Sequence, residues 1–120
     1  MNFMVIGIGI DIVKNGKLEA SARKWGKSFL SKVFNEAELK PLSKGKMYYQ
    51  RLAARFAAKE AVIKATSKKY DLGLKDMLIL NRSNGAPYCR FKKKLGIEVL
   101  LSISHIEDYA VACAVVQKKA

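Results

Sequence analysis

The chain has 120 residues, half of them hydrophobic, which is enough for one packed core and too few for two. Its 23 Lys and Arg stand against 10 Asp and Glu, a net charge of +13, and 18 of the cations are Lys. A globally disordered chain is excluded, and an anionic partner met by general attraction is implied, because bidentate readout of bases or phosphates favours Arg.

No apolar run reaches the ~18–20 residues of a spanning helix. The opening Met1–Gly7 lacks a basic flank, and Asp11 interrupts the apolar stretch, so no export signal is read and the chain is expected in the cytoplasm. Residues 4–13 alternate. Met4, Ile6, Ile8, Ile10 and Ile12 form a bulky face, while Val5, Gly7, Gly9, Asp11 and Val13 form a thin one, which predicts a strand. Two glycines on one face call for close approach by another backbone or a ligand. Helical spacing runs from Lys17 to about Phe34, with basic residues Lys17, Arg23, Lys24, Lys27 and Lys32. Asn35 followed by Glu38 reads as an N-cap with its capping-box partner, opening a short helix that Pro41 limits.

The longest helical signal spans about 46–67 and contains no Gly or Pro. Arg51, Arg55 and Lys59 lie four apart, as do Phe56, Glu60 and Lys64, and alanines at 53, 54, 57, 58, 61 and 65 keep the helix slim. Residues 68–75 form a polar connector. Met77–Leu80 is a strand, Asn84-Gly85 a hairpin-turn signal, and Tyr88–Phe91 the return strand. Lys92–Lys94 reads as a solvated charge run. Ile97–His105 alternates as a further strand, and Tyr109–Val116 is small or apolar on both faces, as in a central strand. The pattern is one α+β domain over residues 1–120.

Eight of the ten carboxylates, Glu19, Glu36, Glu38, Asp71, Asp76, Glu98, Glu107 and Asp108, sit where solvent is the expected partner. Asp11 lies inside an apolar strand and must be paired, hydrogen-bonded or bound to a metal. Glu60 follows Lys59 and has Lys64 one turn on. Two carboxylates from separate elements with a cation nearby form a minimal site for Mg²⁺ and a phosphate-bearing ligand. The structural alternative is a buried Asp11–Lys pair and an ordinary Glu60–Lys64 bridge. His105, the one histidine, closes Ser102-Ile103-Ser104-His105 and is either a polar turn residue or a phosphate or ribose contact. Cys89 and Cys113 read as buried free thiols, and Trp25, Tyr48 and Tyr49 as core or helix-packing residues. Dinucleotide-binding, P-loop and nucleophile-elbow motifs are absent.

Gly7-Ile8-Gly9-Ile10-Asp11-Ile12-Val13 resembles the G-x-G-x-D-x-V opening of bacterial holo-(acyl carrier protein) synthases. Arg55-Phe56-Ala57-Ala58-Lys59-Glu60-Ala61 with Lys64 is similar to their helical R-F-A-x-K-E-A-x-x-K signature. Ser102-Ile103-Ser104-His105 with Tyr109-Ala110 resembles their ending, and the three motifs follow in the family's order and separations. The resemblance implies an antiparallel sheet packed against one long helix and shorter helices. It implies a 4′-phosphopantetheinyl transferase of fatty acid biosynthesis, moving the phosphopantetheine arm of coenzyme A to a serine of an acidic acyl carrier protein and releasing adenosine 3′,5′-bisphosphate.

By motif position Asp11 and Glu60 would hold Mg²⁺, and Lys64 would neutralise charge on the transferring phosphoryl group; these three form the implied catalytic set. Arg55, Lys64, Gly85, Pro87, Ser104 and His105 would contact coenzyme A, and Lys17, Arg23, Lys24 and Lys27 would dock the carrier protein. The serine proton would pass to Glu60 or to a metal-bound water. A homotrimer with sites at subunit interfaces is also implied, suiting the small residues of Tyr109–Val116; neither a membrane nor a nucleic acid is an expected partner. Three segments depart from the family pattern. Lys14-Asn15-Gly16-Lys17 replaces E-x-x-R, Thr66-Ser67-Lys68-Lys69-Tyr70 replaces a glycine turn, and Ala86 stands where the hairpin carries Lys. Two other readings remain open: a Mg²⁺-dependent nuclease, whose acid and lysine usually sit two apart on a strand, and a nucleic-acid-binding module resting on charge alone.

Overall fold

Alternation along the first strand, β1 (Met4–Lys14), decides which side of the sheet is closed. A computed structural model describes residues 4–119, so Met1–Phe3 and Ala120 lie outside the described residues. β1 pairs antiparallel with β5 (Tyr109–Lys118), and β5 with β4 (Ile97–His105), giving the order β1-β5-β4. The apolar strand expected to be central is central. A second antiparallel pair, β2 (Met77–Asn81) and β3 (Pro87–Phe91), stands beside it.

Helix α4 (Tyr48–Thr66) lies on the thin face of β1. A Cβ built on Gly7 would stand 1.8 Å from the Ala65 carbonyl oxygen, and one on Gly9 would stand 2.0 Å from that of Ala61. The two glycines therefore seat helix backbone directly on strand backbone. Ala110, Ala112 and Ala114 of β5 extend the same seat and are fully buried, together with Leu52, Ala53, Ala57, Ala58, Ala61 and Val62 of α4.

The opposite face of the sheet is open. Ile8, Ile10 and Ile12 are 62–69% exposed, beside Leu100 and the half-buried Val111, Cys113 and Val115. Register places Ile8, Val115 and Leu100 in one cross-strand row and Ile10, Cys113 and Ser102 in the next. The small residues of β5 thus face the helix, and the surface free to meet another chain is the bulky one.

The helix expected over 17–34 is two, α1 (Asn15–Trp25) and α2 (Lys27–Val33), broken at Gly26, whose φ of +54° a side chain would resist. Trp25 is not core: it ends α1 at 59% exposure with the Lys24 ammonium 4.9 Å above its ring. Tyr48 and Tyr49 do pack, edge to face at 5.2 Å. Asn35 precedes α3 (Glu36–Leu39), and its N–H donates to Glu38 Oε1 at 2.8 Å, as a capping box requires. The β2–β3 turn is longer than a two-residue turn. Its five residues Arg82–Ala86 close with the Arg82 N–H on the Ala86 carbonyl, and Gly85 takes φ +90°. Both cysteines are free and half-buried rather than buried, and the apolar setting pushes the Cys89 thiol up to about 12.

Candidate active site

Asp11 is the third residue of the thin face after Gly7 and Gly9, so the close seating of α4 brings it near the helix surface that carries Glu60 and Lys64. Asp11 and Glu60 line one open cleft of about 430 Å³, together with Lys14, Lys17, Ser21 and Phe56. Lys64 Nζ donates to Asp11 Oδ1 at 3.1 Å and to the Ile10 carbonyl at 3.0 Å. Asp11 thus has a lysine partner, but the Lys64 side chain is half in solvent rather than buried, and no Glu60–Lys64 ion pair forms among the described residues, so the structural alternative is met only in part. Burial pushes the Glu60 carboxyl above the usual carboxylate range, the Asp11 charge pushes it further, and Lys64 partly offsets both.

Two carboxylates in one open cleft, the Asp11 charge raising the proton affinity of Glu60, suit a divalent cation. No group of three or more His, Cys, Asp and Glu gathers among the described residues. A cation here would have two protein carboxylates and complete its shell from ligand and water, which is the habit of Mg²⁺.

A second cavity, of about 480 Å³, gathers Arg51, Arg55, Asn81, Gly85, Pro87 and His105. Four of the residues expected to contact coenzyme A, namely Arg55, Gly85, Pro87 and His105, thus share one wall. Arg55 is nearly buried, and burial lowers its pKa. Its Nη2 donates to Asn81 Oδ1 at 2.8 Å and its Nη1 to the Ile79 carbonyl. Ser104 does not join them. Paired with Val111, it points to the open face of the sheet, while its neighbours Ile103 and His105 line the cavity. Arg55 and Glu60 stand about 140° apart around α4, so the two cavities open on different sides of the helix.

The family model of the 4′-phosphopantetheinyl transferase superfamily matches residues 7–114. The holo-[acyl-carrier-protein] synthase of Thermodesulfovibrio yellowstonii is 41% identical over 116 residues, covering 94% of this chain and 99% of that protein. The solved synthase of Neisseria meningitidis superposes with a TM-score of 0.85 at 30% identity, covering 96% of this chain and all of that one. That of Bacillus anthracis, solved in complex with CoA (3′,5′-ADP), gives 0.83 at 33% identity over 97% of this chain and 99% of that one. The chain belongs to the holo-(acyl carrier protein) synthases.

As a member of these synthases the chain is a phosphopantetheinyl transferase with their α+β fold. The residues expected to dock a carrier protein are scattered. Lys17 stands at the rim of the Asp11–Glu60 cleft. Arg23 Nε is engaged with Glu19 Oε2 at 2.9 Å, and its guanidinium lies 5.2 Å over the Tyr49 ring. Lys24 covers Trp25, and Lys27 lines a separate groove with Lys44, Tyr48 and Tyr49. Lys68 and Lys69 line a further groove with Ser67, Tyr70 and Asp71, apart from both cavities.

The largest correction concerns Glu38. Expected in solvent, it is fully buried against an equally buried Lys59, with Lys59 Nζ 2.5 Å from Glu38 Oε1. Lys59 also donates to the carbonyls of Val33 and Leu74, each at 2.8 Å, and Glu38 Oε2 accepts the Ile79 N–H at 2.8 Å. Desolvation lowers the Lys59 pKa, and the bond to Glu38 opposes it. A signal was present in the sequence. Leu52, Arg55, Lys59, Val62 and Thr66 follow a 3-4-3-4 spacing, and the apolar members of that stripe oblige Lys59 to find a counter-charge inside.

Proposed function

We propose that this chain transfers 4′-phosphopantetheine from coenzyme A to a serine of an acidic apo acyl carrier protein in a Mg²⁺-dependent reaction. It releases adenosine 3′,5′-bisphosphate and serves fatty acid biosynthesis in the cytoplasm. The observation that carries this reading is the single cleft lined by Asp11 and Glu60, with Lys64 bonded to the first of them. The two carboxylates would hold Mg²⁺, which supplies positive charge to the oxygens of a pyrophosphate. The serine hydroxyl gives its proton to Glu60 or to a water as its oxygen bonds to the phosphorus bearing the pantetheine arm, and the bond from that phosphorus to the bridging oxygen breaks, that oxygen leaving with adenosine 3′,5′-bisphosphate. Lys64, half in solvent, turns from Asp11 to the charge that develops, with Lys14 and Lys17 close by. Positioning and electrostatics suffice for such a transfer, and no covalent intermediate is needed. Arg51, Arg55 and His105, with the Gly85–Pro87 turn, take the nucleotide end.

The working unit is a homotrimer with sites between subunits. The open face of Ile8, Ile10, Ile12 and Leu100 supports this, since seating another copy there removes a contiguous apolar surface from water. It would also set Ser104, which its own chain keeps from the Arg55 cavity, against a neighbour. A trimer triples the charge of +13 and attracts an acidic carrier. No helix among the described residues is long and apolar enough to cross a membrane. Charge alone speaks for nucleic acid, and Glu60 and Lys64 sit four apart on a helix rather than two apart on a strand.

Mass spectrometry of an apo carrier protein incubated with the chain, coenzyme A and Mg²⁺ tests the reaction. A gain of one phosphopantetheine on the carrier is expected, lost when the ion is chelated. No gain with several carriers would overturn the proposal.

A further inference from the structure

We infer that Glu38, locked by Lys59, is a positioning residue for coenzyme A, because it fixes the strand edge on which the Arg55 guanidinium is mounted. This rests on the assignment of the Arg55 cavity to coenzyme A. Among the described residues strand β2 pairs on one side only, with β3. At Ile79 its other edge has no strand partner, and two side chains take that role. Glu38 Oε2 accepts the Ile79 N–H at 2.8 Å, and the Ile79 carbonyl accepts Arg55 Nη1. From Arg55 the run of bonds continues through Nη2 to Asn81 Oδ1 at 2.8 Å, and from Asn81 Nδ2 to the Gly85 carbonyl at 2.8 Å. Ile79, Arg55, Asn81 and Gly85 all line the cavity. One unbroken series of hydrogen bonds therefore leads from a buried carboxylate to the turn at the cavity's edge.

Lys59 completes the lock. Its ammonium has three protons and three acceptors, Glu38 Oε1, the Val33 carbonyl and the Leu74 carbonyl, so none is left for a ligand. Neither charge can move without stranding the other away from water. A guanidinium mounted on such a frame is already ordered before coenzyme A arrives, and pre-ordering is what makes binding tight.

Two double variants separate this role from stability. Glu38→Gln with Lys59→Met removes both charges but keeps an oxygen for the Ile79 N–H, and should bind coenzyme A within about twofold of the parent. Glu38→Met with Lys59→Met removes that oxygen and should bind coenzyme A about tenfold more weakly, with KM for the carrier protein unchanged. Binding is measured by calorimetry on full-length protein at a temperature where circular dichroism shows it folded. Equal affinities for the two folded doubles would overturn the inference. Should the Met/Met protein not fold, Glu38→Leu with Lys59→Met, which also removes the oxygen, takes its place with the same expected loss, and an affinity equal to that of the Gln/Met protein would overturn the inference. Arg55→Ala is the control for the cavity itself. Unchanged coenzyme A affinity in that variant removes the cavity assignment and the inference together. Weakened binding there, with equal doubles, removes the inference alone.

Discussion

Two lysines five positions apart on α4 meet carboxylates in opposite surroundings. Lys59 and Glu38 are 2.5 Å apart with both side chains wholly buried. Lys64 and Asp11 are 3.1 Å apart, with side chains 55% and 17% exposed. Removing one partner from the buried pair leaves a charge with no water to receive it, a loss of about 3–5 kcal/mol. An exposed pair contributes about 0–1 kcal/mol, because solvent replaces either partner. The chemistry is the same and burial sorts the roles. The tighter pair is scaffold, and the looser one is free to exchange a carboxylate for an incoming phosphate, as the proposed reaction requires.

That contrast is broken or sharpened by variants on each side of it. Asp11→Ala should lower Mg²⁺-dependent transfer by on the order of 10³-fold while the melting temperature stays near the parent's. Wild-type-like turnover would refute the metal assignment. Lys59→Ala should lower the unfolding free energy by about 3–5 kcal/mol in urea denaturation, and a loss below about 1 kcal/mol would show that the buried pair is not the scaffold described. Lys64→Ala should lower kcat roughly 100-fold with a smaller change in KM for coenzyme A and no loss of stability. A rise in KM alone would place Lys64 in binding rather than in the transition state.

The smallest effect is protonic. NMR titration of Glu60 should find its carboxyl above the usual carboxylate range, and Asp11→Asn should bring it down only part of the way, since burial is the larger cause. With the folded pKa raised, ionised Glu60 costs the metal-free protein stability at higher pH, and the cost vanishes in acid, where folded and unfolded chains both carry the proton. Affinity for Mg²⁺ should accordingly rise with pH through that range. A Glu60 that titrates like a solvent-exposed glutamate would remove the like-charge coupling to Asp11.

Much of this was legible in the sequence, and the failures share a cause. The strand alternation from Gly7 to Val13, the glycines that call for a close neighbour, the long helix and the central strand all follow from spacing along the chain. A register shift between Val5 and Gly7, by contrast, leaves Val5 exposed rather than on the thin face and packs Ile6 against the core. Asn35 and Glu38 were readable as a capping box because that contact is local. The partner of Glu38 lies 21 residues further on, and the helical stripe that obliges Lys59 to find a counter-charge inside does not say which acid supplies it. Trp25 misled because an aromatic residue at helical spacing is usually packed, whereas here the chain turns away at Gly26 before a partner is reached. Asp11, Glu60 and Lys64 stood out because a charge in an apolar strand and an acid on an alanine-rich helix are conspicuous, and the structure brings the three side chains to one place. The division of the residues expected to contact coenzyme A, with Ser104 on the open face and His105 in the cavity, follows from strand alternation once the buried face is known. Alternation alone does not say which face that is.

The glycines of β1 have a mechanical consequence. Most helices rest on sheets through a layer of side chains that can be squeezed, rotated or repacked, and that layer behaves as a cushion. Beneath Ala61 and Ala65 the cushion is missing, and carbonyl oxygens bear on α-carbons. The span between the strand that carries Asp11 and the helix that carries Glu60 is therefore a rigid gauge, machined by the absence of two methyl groups. Adding a single one at Gly9 would jack the jaws of the cleft apart.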